Sequence, residues 1–296
     1  MDELIDQLRA SLGSNAVLLA DDVAQRATSY WDSTPMKAKA LLRPSSTQGV
    51  STALALCHAC GQKVVVQGGN TTCVKGTQTE PDDIILSLER LNKIVEIDTV
   101  SATATVEAGV ILETLQNAVK AKQLFLPLDL GARGSCTIGG NLATNAGGVN
   151  VLRYGMARAM VLGLEVVLPD GTILSAMDKM MKNNAGYDLK QLFVGTEGTL
   201  GVITRAVVRL MPLPITQNTA LVALSDFPAV SRFLNYLKES LGTNLSAFEL
   251  MWGDYLKAVT KPGWHKSPID RNHPFYVLYE SDGSDAERDD ARFLEV

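Results

Sequence analysis

A glycine-rich loop that carries amide and hydroxyl side chains follows the apolar run 63–66 and is the strongest chemical signal in the chain. Its candidate binding residues are Gln67, Gly68, Gly69, Asn70 and Thr71. Glycines tolerate positive φ angles, so successive backbone N–H groups can point into one concave surface that suits a diphosphate. The loop lacks both the G-x-G-x-x-G pattern of a Rossmann site and the P-loop pattern. It therefore predicts a phosphate loop of another kind, with a plain glycine turn as the alternative.

A second glycine-rich stretch occupies residues 127–148. Long ordered connections are usually functional, and the amides and hydroxyls of this one suit a large phosphate-bearing cofactor. Its candidate residues are Asp129, Ser135, Gly139, Gly140, Thr144, Asn145 and Gly148. Asp129 could equally brace a turn. Two such loops in one domain predict a single ligand that is held from two sides.

A third stretch, 195–203, has a glycine at every third position before an apolar strand segment. Glycine at this spacing brings the backbone close to a neighbour, which is either a ligand or another part of the fold. The candidate binding residues here are Glu197, Gly201 and Ile203. Three glycine clusters favour a shared ligand over three separate bends.

Cys57 and Cys60 form a C-x-x-C pair, a spacing found in redox and zinc sites. The pair falls near the end of a predicted helix, 48–60 with Ser46 or Thr47 as its N-cap, whereas redox pairs usually begin a helix. The sequence offers no second ligand pair at zinc spacing. We therefore expect two small apolar residues, and no metal ligand is assigned.

Composition narrows the class of protein. The 296 residues carry a net charge of −5 without basic clusters, which argues against nucleic acid and membrane surfaces as partners. No apolar run approaches the roughly 18–20 residues of a membrane span. The N-terminal residues carry acids and do not resemble a signal peptide, so the default location is the cytoplasm.

Proline residues mark the best domain boundary, at Pro212 and Pro214. Periodicity predicts hairpins over 93–107 and 162–174, a helix over 110–122, and a strand–helix–strand pattern after the boundary. The predicted division is 1–33 as an N-terminal helical segment, 34–214 as the main domain and 215–296 as an incomplete C-terminal domain. An unfinished domain is expected to expose the apolar strand 275–279.

These motifs together resemble the PCMH-type FAD-binding domain of the vanillyl-alcohol-oxidase superfamily. The segments that carry the resemblance are Gln67–Thr71, Pro127–Cys136, Ile138–Gly148, Leu152–Gly155, Gly186–Phe193 and Gly198–Gly201. The chain is most similar to the FAD-linked 2-hydroxyacid dehydrogenases, which include D-2-hydroxyglutarate and D-lactate dehydrogenases. The resemblance implies an α+β fold: a two-subdomain FAD-binding domain, followed by the beginning of an α+β, ferredoxin-like substrate or cap domain.

The resemblance also implies residue roles. The loop 67–71 would wrap the FAD diphosphate, and the candidates of 127–148 would line the isoalloxazine and ribityl region. Glu197, Gly201 and Ile203 would meet the adenosine end or the ring edge. Relatives with covalent flavin often use a histidine in the diphosphate loop, and this loop has none, so FAD is expected to be non-covalent.

The implied activity is oxidation of a D-2-hydroxy acid, 2-hydroxyglutarate- or lactate-like, to the 2-oxo acid by hydride transfer to flavin N5. An unidentified electron acceptor would then reoxidise the flavin, and a homo-oligomer is a further expectation. The chain looks C-terminally truncated, so a divalent metal such as zinc is expected only in a full-length form, and no catalytic residue is assigned. The alternatives are a truncated FAD-binding module without dehydrogenase activity and a flavin reductase of the cell-wall precursor type.

Overall fold

The structure is a computed structural model that describes residues 3–261 and 265–296, and it mixes α-helices with β-sheets. The helices, in chain order, are α1 (Glu3–Leu12), α2 (Ala20–Val23), α3 (Thr47–Ala59), α4 (Leu112–Lys120), α5 (Ile138–Ala143), α6 (Val151–Tyr154), α7 (Ala157–Met160), α8 (Phe227–Leu241), α9 (Gly253–Val259) and α10 (Ala286–Leu294). The strands are β1 (Val17–Leu19), β2 (Ala40–Leu42), β3 (Val64–Gln67), β4 (Ile84–Ser87), β5 (Ile94–Asp98), β6 (Thr103–Glu107), β7 (Leu124–Phe125), β8 (Val161–Val167), β9 (Ile173–Ala176), β10 (Val202–Arg209), β11 (Met211–Pro212), β12 (Thr216–Leu224), β13 (Leu245–Trp252) and β14 (Phe275–Gly283).

The chain divides into two compact units. The first comprises Met1–Leu126, Gly131–Ala146 and Ala157–Met211, and the second comprises Pro127–Leu130, Gly147–Met156 and Pro212–Val296. The division into 1–33, 34–214 and 215–296 stays a prediction. Strand β1, which lies within the predicted segment 1–33, pairs with β2 and so joins a sheet of the first unit.

The described residues of the first unit include two large sheets. In the four-stranded sheet, β1-β2-β4-β3, the strand β4 is parallel to both neighbours, and its residues 84–87 are all buried. Strands that are covered on both faces are mostly apolar, and residues 84–86 of this strand are Ile, Ile and Leu. The five-stranded antiparallel sheet has the order β5-β6-β10-β8-β9. Its pairs β5–β6 and β8–β9 confirm the two predicted hairpins.

Helix α3 packs against β8 and β10 of the five-stranded sheet and contributes apolar residues to the core of the four-stranded one. Ser46 is its N-cap and accepts a hydrogen bond from the Gly49 N–H at 3.1 Å, which confirms the predicted start. The Thr47 hydroxyl donates to Glu165 Oε1 at 2.7 Å. The helix therefore holds the two sheets of this unit together through both apolar and polar contacts.

The second unit contains a three-stranded antiparallel sheet, β12-β14-β13, whose apolar face packs with α8 and α10. Strand β14 is the central strand, and the side chains of Tyr276, Val277 and Tyr279 are buried. The expectation that 275–279 is an exposed strand is therefore wrong. Both neighbouring strands pair with it, and α8 supplies Val230 and Leu237 to cover its face.

Candidate functional site

The two glycine loops of the first unit lie directly against each other. A Cβ atom at Gly69 would fall 2.3 Å from the Ser135 carbonyl oxygen, and one at Gly68 would fall 2.7 Å from the Thr137 hydroxyl oxygen. Position 69 has no room for a side chain because the contact is with rigid backbone, and a side chain at position 68 would require Thr137 to shift. The loop after β3 and the segment before α5 thus form one surface made largely of backbone.

This surface borders a cavity of about 710 Å³, which is within the roughly 300–1,000 Å³ typical of ligand pockets. Its lining is rich in amide, hydroxyl and backbone groups and includes Gln67, Gly68, Gly69, Asn70, Ser87, Asn92, Gly109, Thr114, Ser135 and Thr137. The structure therefore brings together five residues that the sequence predicted for one cofactor, from two loops far apart in the chain. Those five are Gln67, Gly68, Gly69, Asn70 and Ser135.

Asn70 adopts a left-handed backbone conformation with a φ of +52°. Its side-chain Nδ2 donates to the Thr28 carbonyl oxygen at 2.7 Å, and its Oδ1 accepts from the Thr77 hydroxyl at 2.8 Å. Asparagine is one of the few residues that tolerate this conformation, because its side chain can bond to nearby groups. Thr71 follows in the same loop and is half-buried.

Helix α5 begins at the second loop. Thr137 is its N-cap and accepts from the Gly140 N–H at 3.4 Å. A Cβ at Gly139 would lie 2.5 Å from the Ala108 Cβ, and the Gly139 N–H donates to the Ala108 carbonyl at 2.7 Å. Glycine at 139 therefore lets the helix approach Ala108, just after β6. Gly140 lies near Gly68, because a Cβ added at Gly68 would fall 3.4 Å from the Gly140 Cα.

The third glycine stretch packs against the end of α5. The Glu197 N–H donates to the Ala143 carbonyl at 2.9 Å, and Glu197 itself has a φ of +52°. Asn145, with a φ of +47°, accepts from the Arg158 N–H at 3.0 Å. The Thr144 hydroxyl donates to the carbonyl of Gly140 at 3.1 Å. These residues form a second connected group of predicted site residues.

Gly201 lies just before β10 and Ile203 lies within it, and both residues are buried. A Cβ at Gly201 would fall 2.7 Å from the Val166 Cγ1, so close packing within the unit is enough to require glycine there. Neither residue lines the cavity described above.

Asp129 and Gly148 belong to the second compact unit. A Cβ at Gly148 would fall 1.9 Å from the Asp129 carbonyl oxygen, and Gly148 has a φ of +85°. The neighbouring Val149 N–H donates to the same carbonyl at 3.2 Å. These two predicted site residues therefore contact each other through backbone.

An ion pair that the motifs did not reveal lies at the cavity. Arg26 donates from Nη1 to Glu89 Oε2 at 2.8 Å and from Nη2 to Oε1 at 3.0 Å, and both residues line the cavity. The hydrogen bond from Arg26 is the main cause that lowers the pKa of Glu89, and the same bond raises the pKa of Arg26. The partners are 63 positions apart, so no local pattern connects them.

Among the residues that the structure describes, no group of three or more His, Cys, Asp or Glu side chains is placed to hold a metal ion. Over the same residues, no helix is long and apolar enough to cross a membrane.

Residues 38–176 match the family described as FAD binding domain, and residues 213–296 match the family described as FAD linked oxidases, C-terminal domain. The chain thus combines residues of an FAD binding domain with residues of the C-terminal domain of FAD linked oxidases. D-2-hydroxyglutarate dehydrogenase of Bos taurus is 47% identical to this chain over 246 residues, which are 83% of the chain and 45% of the relative. D-2-hydroxyglutarate–pyruvate transhydrogenase of Saccharomyces cerevisiae is 39% identical over 259 residues, 85% of the chain and 51% of the relative. The chain thus spans about half the length of the curated relatives it matches.

Solved structures confirm the fold of the chain. Alkyldihydroxyacetonephosphate synthase superposes with a TM-score of 0.81 at 18% identity, covering 100% of this chain and 59% of the other. p-Cresol methylhydroxylase with substrate bound superposes with a TM-score of 0.78 at 17% identity, covering 99% and 62%. The expected mixed α and β fold with a PCMH-type FAD-binding domain is confirmed.

The cavity suits the phosphate part of FAD. Residues of both glycine loops border it, and Gly68 and Gly69 place no side chain there. Asn70, with its left-handed φ, lies among the residues that line the cavity.

Proposed function

We propose that the chain binds FAD non-covalently and forms the cofactor-binding part of an enzyme that oxidises a D-2-hydroxy acid to the 2-oxo acid. The observation that carries this proposal is the cavity between the two glycine loops, within the region that matches an FAD binding domain. Relatives named D-2-hydroxyglutarate dehydrogenase favour a 2-hydroxyglutarate-like substrate, with a lactate-like one as the next candidate.

The residues 67–71 would hold the diphosphate through backbone N–H groups and the Asn70 and Thr71 side chains. The remaining proposed cofactor contacts are those expected from the sequence: Asp129, Ser135, Gly139, Gly140, Thr144, Asn145, Gly148, Glu197, Gly201 and Ile203. Gly201 has no side chain and would therefore contact the cofactor by backbone atoms. The absence of histidine from the loop supports non-covalent binding.

FAD, when bound, supplies an acceptor for the hydride that leaves the hydroxyl-bearing carbon of the substrate. The task of the described residues is to bind and orient that cofactor, because an oriented reactant lowers the entropic part of the barrier. We assign the proton acceptor to none of them.

The electron acceptor, a homo-oligomeric state and a divalent metal such as zinc in a longer form stay predictions. One relative is named a D-2-hydroxyglutarate–pyruvate transhydrogenase, which makes a 2-oxo acid one acceptor to test. The cytoplasmic location also stays a prediction, which the relatives named mitochondrial do not support.

The test is an absorbance spectrum of the purified chain after reconstitution with FAD, followed by anaerobic addition of D-2-hydroxyglutarate and, separately, of D-lactate. We expect flavin bands that one of the two acids bleaches. Bands that persist with both acids would favour the alternative, an FAD-binding module without dehydrogenase activity. Failure to retain FAD would contradict the cofactor assignment itself.

A further inference from the structure

The segment Arg26–Met36, which we call the strap, closes on itself beside the cavity. The Met36 N–H donates to the Arg26 carbonyl at 2.8 Å, and the Thr28 N–H donates to the Thr34 carbonyl at 2.9 Å. Arg26 and Met36, at the two ends of the strap, both line the cavity. The strap therefore forms a wall of the proposed cofactor site although it lies outside every glycine motif.

The strap is hydrogen-bonded to Asn70, the residue of the glycine loop with a left-handed backbone conformation. The Tyr30 N–H donates to the Asn70 carbonyl at 3.2 Å, and Asn70 Nδ2 donates to the Thr28 carbonyl at 2.7 Å. A residue in the left-handed region persists only where its surroundings hold it there. The strap supplies two of the hydrogen bonds that hold Asn70.

Arg26 fixes the base of the strap to the end of β4. Its two terminal nitrogens donate to the two carboxylate oxygens of Glu89, a bidentate geometry that is stronger and more directional than a single ion pair. Glu89 also accepts from Arg43 Nη1 at 3.4 Å. The bidentate pair uses two of the five N–H donors of Arg26, and its geometry suits the guanidinium to hold the strap against Glu89.

We propose that Arg26 is a positioning residue of the cofactor site, which pins the strap to Glu89 and so keeps Asn70 in its binding conformation. This inference rests on the proposed function, because it assumes that the loop of Asn70 binds FAD. Arg26 would then affect FAD affinity by holding Asn70 in place and not by contacting the cofactor.

The experiment is a titration of apoprotein with FAD, followed by flavin fluorescence, in Arg26→Gln, Asn70→Gly and the double variant. Loss of the bidentate pair is expected to weaken FAD binding about tenfold in Arg26→Gln. In the Asn70→Gly background the same substitution is expected to change the dissociation constant by less than about twofold, because coupled residues are not additive. Arg43→Gln is the matched control, since it also removes a cation from Glu89 but leaves the strap in place, and it is expected to stay within about twofold of wild type.

Hydrogen exchange of the apoprotein gives a second readout that needs no cofactor. The Tyr30 amide should exchange faster in Arg26→Gln than in wild type, and it should keep its protection in Arg43→Gln. Glu89→Gln, which removes the other partner at nearly constant volume, should reproduce both effects if Arg26→Gln fails to fold.

The outcomes separate the two proposals. If wild type does not bind FAD, the proposed function fails and this inference fails with it. If wild type binds FAD and Arg26→Gln binds equally well, the inference alone is overturned. A tenfold loss that persists in the Asn70→Gly background would also overturn it, because Arg26 would then act on the cofactor directly.

Discussion

The Asn70 side chain donates from Nδ2 to the Thr28 carbonyl oxygen at 2.7 Å, across 42 positions of sequence. This bond joins the glycine loop that follows β3 to a segment that precedes the first parallel strands. On its other side Asn70 accepts from Thr77, so the loop is held by hydrogen bonds from both directions. A loop that is held in this way can present its backbone N–H groups to a ligand without first being ordered.

Replacing Gly69 by alanine should impair FAD binding. The new Cβ would fall 2.3 Å from the Ser135 carbonyl oxygen, and overpacking against backbone costs about 1–3 kcal/mol. If this cost falls on the binding conformation, the dissociation constant for FAD should rise about 5- to 150-fold in a fluorescence titration. Gly131→Ala is the control, because its Cβ would meet open space. Equal affinities of the two variants would contradict the proposed role of the loop.

At position 70, alanine should be less stable than glycine. Both substitutions remove the side-chain bonds, but only alanine has a Cβ that disfavours the φ of +52°, at a cost of about 1–2 kcal/mol. Urea unfolding of Asn70→Ala and Asn70→Gly measures the difference. Ala102→Gly calibrates the effect, since Ala102 has a φ of +50° and should gain stability on substitution. A φ near the α-helical region in solution would make Asn70→Ala the more stable variant.

Two of the four thiols should react with a thiol reagent in the native chain. Cys60 and Cys73 are exposed, whereas Cys57 and Cys136 are buried, and none of these four described residues forms a disulfide. Desolvation raises the pKa of Cys57 to about 12, so its thiolate is scarce at neutral pH. A spectrophotometric thiol assay before and after denaturation counts the groups. A fast-reacting third thiol at Cys57 would revive the redox interpretation of the C-x-x-C pair.

Asp282→Asn should stabilise the second unit at neutral pH and lose this advantage in acid. The carboxyl is fully buried, and desolvation, the largest effect, raises its pKa above that of the unfolded chain. The folded state therefore binds the proton more tightly, so ionisation of Asp282 lowers the free energy of unfolding as pH rises through that pKa. Urea unfolding of both proteins at about pH 7.5 and about pH 5 measures the difference. An advantage that grows in acid would contradict the sign of this shift.

Arg158→Gln should release the segment 190–195. The Arg158 guanidinium donates from Nη1 to the Gln191 carbonyl at 2.7 Å and to Gln191 Oε1 at 2.9 Å, and from Nη2 to the Val194 carbonyl. Loss of hydrogen bonds that a charged group makes costs about 1.5–3 kcal/mol. Trypsin should then cleave after Lys190 faster than in wild type.

The control for that experiment is Arg232→Gln. The Arg232 side chain is 71% exposed, and its Nη2 makes a long contact of 3.9 Å with Asp226 Oδ1. Surface substitutions of this kind usually change the free energy of unfolding by less than about 0.5 kcal/mol. Equal cleavage rates in the two variants would show that Arg158 does not hold the segment.

Local patterns were enough to predict the hairpins and the start of α3. In the hairpins at 94–107 and around the Asp–Gly turn of 170–171, each strand pairs with a strand only a few positions away. Ser46 caps the helix that follows it directly. The parallel pairing of β2 and β3 with β4 could not be predicted in the same way, because its register depends on contacts between distant segments.

The candidate site shows the same limit. Glycine and asparagine in 67–71 indicated unusual backbone geometry, and the positive φ of Asn70 is an instance of it. The contact of Gly69 with Ser135 depends on two loops that the fold brings together, and the bond of Arg26 to Glu89 joins residues without any motif. The paired strand 275–279 could not be foreseen for the same reason, since its burial comes from β12, β13 and α8.

The position of Ser135 and Thr137 against Gly68 and Gly69 has a consequence for how the protein is made. During synthesis the strap and the first glycine loop leave the ribosome well before the segment 135–140 that completes the cavity wall. Contacts between distant segments form only after the loop-closure entropy has been met, so they form late in folding. A nascent chain that ends before this segment lacks part of the wall of the proposed FAD cavity. If the proposal holds, FAD can bind only after the chain has been synthesised and folded past α5.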